Sequence, residues 1–211
     1  MARGRFITFE GGEGVGKSTQ ARLLAERLRA AGLAVTATRE PGGSPGAEAI
    51  RALLVCGDAD RWSPVSETLL AYAARRDHVE RLIRPELERG AWVVCDRFID
   101  STRAYQGLAG EGDLELIEFL QRKVLDGITP ELTLVLDMEV DAGLGRAASR
   151  RGAETRFEDK GPRFHDRLRD GFRQIVREDP ERCVLVDAKG SAEEVAARVR
   201  EEVQARLEQP L

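Results

Sequence analysis

Apolar positions run along this chain in two alternating rhythms. Five short runs are β-rich or nearly continuous: residues 5–9, 33–38, 91–95, 132–136 and 183–186. Between them the apolar residues recur every three or four positions, the period of a helix packed on one face. The first helix is predicted over 17–30, with Leu23, Leu24 and Leu28 on one side and Gly32 beyond its end. A loop over 41–46 leads into a helix reaching about Leu54. Ser63 and Pro64 open a long helix over 65–89, which Pro85 should kink. Further helices are predicted over 113–126, 140–150, 160–178 and 191–207. Strands that alternate with helices and are apolar throughout predict a doubly wound α/β fold: a five-stranded parallel sheet with helices on both faces. No repeat, linker or low-complexity tract interrupts it, so one domain over 1–211 is expected. The least regular stretch, 149–162, is rich in arginine and glycine. It reads as an exposed loop or as a mobile basic lid over about 146–160.

Composition narrows the function. The 211 residues carry 33 Lys and Arg against 37 Asp and Glu, a net charge of -4. With 42% hydrophobic residues this fits a soluble globular chain rather than a disordered one. The longest apolar runs are about five or six residues, far below the ~18 of a membrane span. The first residues lack the pattern of a signal peptide. A slightly acidic balance argues against coating nucleic acid. Cys56, Cys95 and Cys183 are scattered, and His78 and His165 stand alone. No disulfide framework or zinc site is expected, and the compartment expected is the reducing cytoplasm. Only 4 of the basic residues are lysine and asparagine is absent. A genome rich in G and C accounts for the arginines.

The chemistry is carried by Gly11-Gly12-Glu13-Gly14-Val15-Gly16-Lys17-Ser18, which fits the phosphate-loop pattern and lies between a predicted strand and a predicted helix. Such a loop turns backbone N–H groups and a helix N-terminus onto a triphosphate. Lys17 would reach the outer phosphates, Ser18 would ligate Mg²⁺, and Thr19 would begin the helix beside them. Asp96 ends a buried strand, at the crevice where α/β sheets bind ligands. It is a candidate to hold Mg²⁺ opposite Ser18, with Asp137 as its rival. Arg97, next to it, could clamp a second phosphate in bidentate fashion.

Three segments together resemble the bacterial thymidylate kinase family: Phe9 to Gln20, Thr38 to Pro45, and Asp96-Arg97-Phe98 followed by Ser101 and Ala104-Tyr105-Gln106-Gly107. The resemblance implies transfer of the γ-phosphoryl group of MgATP to dTMP by a homodimer. It implies that Glu10 binds the sugar 3′-hydroxyl, that Arg97 binds the acceptor phosphate and that Arg75 meets a thymine carbonyl. Tyr105 would fill the place of a ribose 2′-hydroxyl. Ser101 and Gln106 would line the same pocket, with Arg39 from the second segment nearby. An acceptor phosphate is largely a dianion at pH 7, so no general base is needed. The loop offers only Lys17 as a positive charge. Arg146, Arg150, Arg151 and Arg156 are therefore the candidate catalytic arginines of a lid.

One position departs from the family. The aromatic that stacks on thymine stands four residues before the base-reading arginine, and here that position is Ala71. Tyr72 could turn in, Arg76 could replace Arg75 as the base reader, or Phe98 could supply the ring. Three rival functions fit less well, and a non-catalytic scaffold is disfavoured by the intact Lys17, Ser18, Asp96 and Arg97. A UMP or CMP kinase is disfavoured by the Arg39 to Pro45 segment. A GTPase switch usually selects guanine with an Asn-Lys-x-Asp run, which a chain without asparagine cannot form.

Overall fold

A computed structural model describes residues 4–149 and 156–209. Its strands are β1 (Phe6–Glu10), β2 (Val35–Arg39), β3 (Trp92–Asp96), β4 (Leu132–Asp137) and β5 (Cys183–Asp187). Its helices are α1 (Lys17–Ala30), α2 (Pro45–Val55), α3 (Pro64–His78), α4 (Arg84–Glu88), α5 (Ile99–Thr102), α6 (Leu114–Leu125), α7 (Val140–Ala148), α8 (Pro162–Glu178) and α9 (Ala192–Leu207). The sheet is parallel throughout, in the order β2-β3-β1-β4-β5. Phe9 pairs with Asp96 on one side and Leu134 on the other, which sets the ends of the three central strands level.

The strands read as apolar runs because both faces of the sheet are covered. Ile7, Phe9, Leu134 and Val184 pack under Leu24 and Leu28 of α1 and Val199 and Val203 of α9. Phe6, Val93 and Cys95 face the other way, onto Val79, Ile83 and Leu87. Phe164, Leu168 and Phe172 of α8 cover Val135 and Cys183 on that second face. Each large side chain buried in this way contributes about 1.5–3 kcal/mol. Polar strand residues on the second face pair among themselves. Thr8 and Thr133 share a hydroxyl hydrogen bond of 2.8 Å, and Arg182 grips the carboxylate of Asp100 beside them.

Two regions differ from the periodic pattern. The helix expected over 65–89 is three pieces: α3, a wide π turn over Val79–Ile83, and α4. Pro85 has no N–H to give, and the wide turn resets the hydrogen-bond register just before it. The helical segment after β3, α5 and a second π turn over Arg103–Leu108, is not evident in the sequence. Ile99, Ala104 and Tyr105 pack into two separate clusters, so no single apolar stripe marks the helix. Cys56, Cys95 and Cys183 are all free thiols. No helix among the described residues is long and apolar enough to cross a membrane.

Candidate active site

The loop between β1 and α1 wraps the N-terminus of α1, where four backbone N–H groups lack intrahelical partners. Gly14 shows why the loop is rich in glycine. Its φ is +70°, and a Cβ there would sit 1.8 Å from the carbonyl oxygen of Gly143, so the loop lies directly against α7. Gly11, Gly12 and Val15 face the narrow space beside β4 and α7. Gly16 caps α1 with φ 100°, and Thr19 is exposed on its first turn. Lys17 Nζ folds back onto the carbonyls of Gly11 and Gly12, at 3.1 and 2.5 Å. Burial, followed by the nearby charge of Arg97, pushes its ionisation down to about 8. An arriving polyphosphate would offset both effects.

Ser18 Oγ donates to Asp96 Oδ2, which joins the start of α1 to the end of β3. The other oxygen of Asp96, Oδ1, is buried and has no partner. An acceptor left unpaired beside a phosphate loop suits a hard cation with oxygen ligands. Asp137 cannot compete for that ion. Arg169 grips both of its oxygens at 2.9 and 3.1 Å, and Arg173 adds a third contact at 2.8 Å.

A cavity of about 300 Å³ opens from this loop toward β2 and α3. Gly14, Gly16, Lys17 and Ser18 line one end. Asp96, Arg97 and Glu13 stand in the middle, with Arg75, Phe98, Ser101, Tyr105, Gln106 and Arg39 beyond. Arg97, at φ 69°, is held by four contacts. It donates to both oxygens of Glu13 at 2.9 and 3.0 Å, to Gly11 O at 3.3 Å and to Ser101 Oγ at 3.4 Å. Its Cζ lies 4.9 Å from the centre of the Tyr105 ring, whose hydroxyl also donates to Glu13 at 2.6 Å. Burial alone would raise the Glu13 carboxyl. The charges of Arg97 and Lys17 outweigh that and hold it at about 2.

Arg75 is buried at the far end. Its Nε donates to Glu40 at 2.7 Å, and its Nη2 donates to Phe98 O and Thr102 Oγ1 at 2.9 and 3.0 Å. Its Nη1 has no partner although it is buried. Gln106 Nε2 donates to Glu67 at 3.0 Å, and Arg39 pairs with Glu48 at 3.1 Å.

Several expected residues stand elsewhere. Glu10 does not line the cavity. Its oxygens accept the backbone N–H groups of Phe98 and Ser101 and the Ser101 hydroxyl, so they are occupied in shaping the segment after β3. Glu13, three residues on, is the carboxylate that faces the cavity. Tyr72 is also outside. On a helix, one residue is ~100° of rotation. Ala71 therefore takes the cavity side, while the Tyr72 ring packs 4.9 Å from the Arg75 guanidinium. Arg76 also stands outside the cavity lining, bound to Glu80 and Val124 O. Phe98 lines the cavity, with Tyr105 and Phe157 as further aromatics of its wall.

Arg156 is not an open lid arginine. Its side chain has 0% exposure, binds Glu67 and donates to the carbonyls of Leu54, Asp58 and Ala59. Arg146 is exposed on the last turn of α7, within the helix segment from Gly143 to Ala147 that meets Gly14. Arg150 and Arg151 lie outside the described residues. Arg51, Phe157 and Glu158 also line the cavity and carry no motif signal of their own, and Glu40, from the Thr38 to Pro45 segment, lines it with them.

A phosphate loop that shares one cavity with a separate arginine-lined compartment, on a parallel α/β sheet, defines a P-loop nucleoside monophosphate kinase. A family model described as thymidylate kinase matches residues 9–199. A thymidylate kinase of Caulobacter vibrioides is 60% identical over 207 residues, covering 98% of this chain and 99% of the relative. One from Rhodopseudomonas palustris is 56% identical over 211 residues, covering 99% and 92%. The crystal structure of thymidylate kinase from Ehrlichia chaffeensis superposes with a TM-score of 0.77 at 36% identity, covering 96% of this chain and 100% of that one. The chain belongs to the thymidylate kinase family.

Proposed function

We propose that the protein transfers the γ-phosphoryl group of MgATP to dTMP, giving ADP and dTDP. The observation that carries this reading is the continuous cavity, with Lys17 and Ser18 at one end and the unpartnered Arg75 Nη1 at the other. ATP would lay its phosphates on the N–H groups of Gly12 to Thr19. Lys17 would leave the loop carbonyls for the outer phosphates. Mg²⁺ would be held by Ser18 and Asp96, whose Oδ1 stands ready, and would draw off charge from the transferring group.

On the acceptor side, Arg97 would exchange part of its grip on Glu13 for the dTMP phosphate. The Glu13 carboxylate, fixed by Arg97 and Tyr105, would then accept a hydrogen bond from the sugar 3′-hydroxyl, a role the family resemblance implied for Glu10. Tyr105 closes the space beside it, which would exclude a ribose. Arg75 Nη1 would donate to a thymine carbonyl, with the Phe98 ring against the base. The acceptor attacks as a dianion, so positioning and charge neutralisation suffice. Arg146, exposed on α7 beside the phosphate loop, would add charge at the phosphates.

We also propose a homodimer working in the cytoplasm. Val65 and Leu69 of α3 and Leu114 and Phe119 of α6 are exposed on two helices that pack together, an apolar face suited to a second copy. ADP release, measured by a coupled assay with dTMP, dUMP, UMP and CMP as acceptors, tests the reading. It predicts the highest kcat/KM with dTMP. Equal or better use of UMP or CMP would overturn it.

A further inference from the structure

Arg75 and His78 stand three residues apart on α3 and so share one face of the helix. Both meet Glu40, in the loop after β2. Glu40 Oε2 accepts from Arg75 Nε at 2.7 Å, and Oε1 meets His78 Nδ1 at 3.0 Å. The other ring nitrogen of His78 lies 2.8 Å from Thr38 Oγ1. All three charged or ring groups are buried, His78 fully. A carboxylate only accepts, so the network gives the proton to Nδ1 and leaves Nε2 to accept from the Thr38 hydroxyl. The chain of bonds therefore runs from Thr38 through His78 to Glu40, where it meets Arg75.

The loop is built around this imidazole. Gly43 has φ +84°, and a Cβ there would lie 2.4 Å from His78 Nε2 and 2.5 Å from Thr38 Oγ1. The Glu40 carboxylate has one oxygen on Arg75 and the other on His78. If the imidazole bond is lost, the carboxylate can turn, and the guanidinium then keeps firm hold only through Nη2, on Phe98 O and Thr102 Oγ1, about which its plane can swing. The direction of Nη1 follows, because Nε and Nη2 fix that plane. His78 is not among the residues that line the cavity, whereas Glu40 and Arg75 are.

We propose that His78 is a positioning residue: it locks Glu40 and thereby aims Arg75 Nη1 at the acceptor base, setting base specificity. This rests on the reading of Arg75 as the group that meets the base. A purely structural role, in which His78 only ties the loop to α3 through Thr38, makes a different prediction. An asparagine amide nitrogen falls near the position of Nδ1, and a glutamine amide falls near Nε2. His78→Asn should thus keep the Glu40 contact, whereas His78→Gln should keep only the Thr38 contact.

The test compares kcat/KM for dTMP with that for two dTMP analogues, each lacking one of the two ring carbonyl oxygens. A hydrogen bond from a charged donor makes the parent prefer dTMP over one analogue by about tenfold or more. In His78→Gln that preference should fall at least about fivefold. KM for dTMP should rise more than kcat falls, and KM for ATP should stay within about threefold. His78→Asn should retain the preference within about twofold. Thr38→Val, which keeps the side-chain shape and frees the ring to turn, should lower the preference severalfold, and it provides the test if His78→Gln does not fold. A His78→Gln or Thr38→Val protein with the parent's preference overturns the proposal. A parent with no preference against either analogue overturns the reading of Arg75 itself, and this proposal with it.

Discussion

Replacing Glu10 by glutamine keeps the shape of the side chain and removes a buried negative charge. Burial, followed by the nearby charge of Asp100, raises the Glu10 carboxyl from 4.5 to about 7, although Ser101, Arg97 and the Phe98 N–H oppose the shift. The sign follows from linkage. Below pH 4.5 the carboxyl is protonated in both folded and unfolded chains. Between 4.5 and about 7 the unfolded chain gives up its proton and the folded one keeps it. Stability is therefore lost as pH rises through this window, by ~1.4 kcal/mol per unit and on the order of 3 kcal/mol in total. Glutamine cannot ionise, and its amide can still accept from the Phe98 and Ser101 N–H groups while donating to Ser101 Oγ. Urea unfolding of both proteins at pH 5, 6, 7 and 8 measures the effect. Glu10→Gln should gain on the parent steadily, by about 2–3 kcal/mol at pH 8 relative to pH 5. Because Glu10 shapes the acceptor segment without lining the cavity, KM for dTMP should change less than about threefold. Parallel stability curves would refute the burial argument. A KM raised tenfold or more would return Glu10 to the sugar site.

Three further outcomes follow from the packing. Arg97→Lys keeps the charge but loses the planar fork, so KM for dTMP should rise at least about tenfold with KM for ATP nearly constant in initial-rate kinetics; equal weakening of both would place Arg97 with ATP. Tyr72→Phe removes a buried hydroxyl that has no partner and keeps the ring beside Arg75; thermal unfolding should show a gain of about 1 kcal/mol, and a loss of that size would mean the hydroxyl is bonded in solution. Arg156→Ala should destabilise the fold by about 3 kcal/mol or more in urea, because Glu67 and three carbonyls lose their buried partner, whereas Arg146→Ala should leave stability within about 0.5 kcal/mol and slow single-turnover transfer more than tenfold; the reverse pattern would exchange their roles.

The sheet was legible because covered parallel strands repeat one composition, as in 91–95 and 132–136. The phosphate loop was legible because the chemistry demands glycines at fixed spacing. The acceptor end was less so. Glu10 and Glu13 are both carboxylates in one motif, and only the fold shows that the first turns toward the backbone of Phe98 while the second enters the cavity. Ala71 and Tyr72 differ by one helical step, which periodicity cannot resolve at a helix buried on more than one side. His78 looked isolated because its partners, Thr38 and Glu40, lie 40 and 38 residues away. Arg156 sits in a basic stretch, yet its burial depends on Glu67 of α3. In each case the deciding contact is long-range.

Label transfer tests the central claim most directly. Purified protein is incubated with Mg²⁺, dTMP and ATP labelled in its γ-phosphoryl group, and the products are separated by chromatography. The account predicts that the label appears in dTDP, in amounts equal to the ADP formed, and that Lys17→Ala reduces this at least about a thousandfold while remaining folded. Label released as inorganic phosphate, or transferred equally well to UMP, would contradict it.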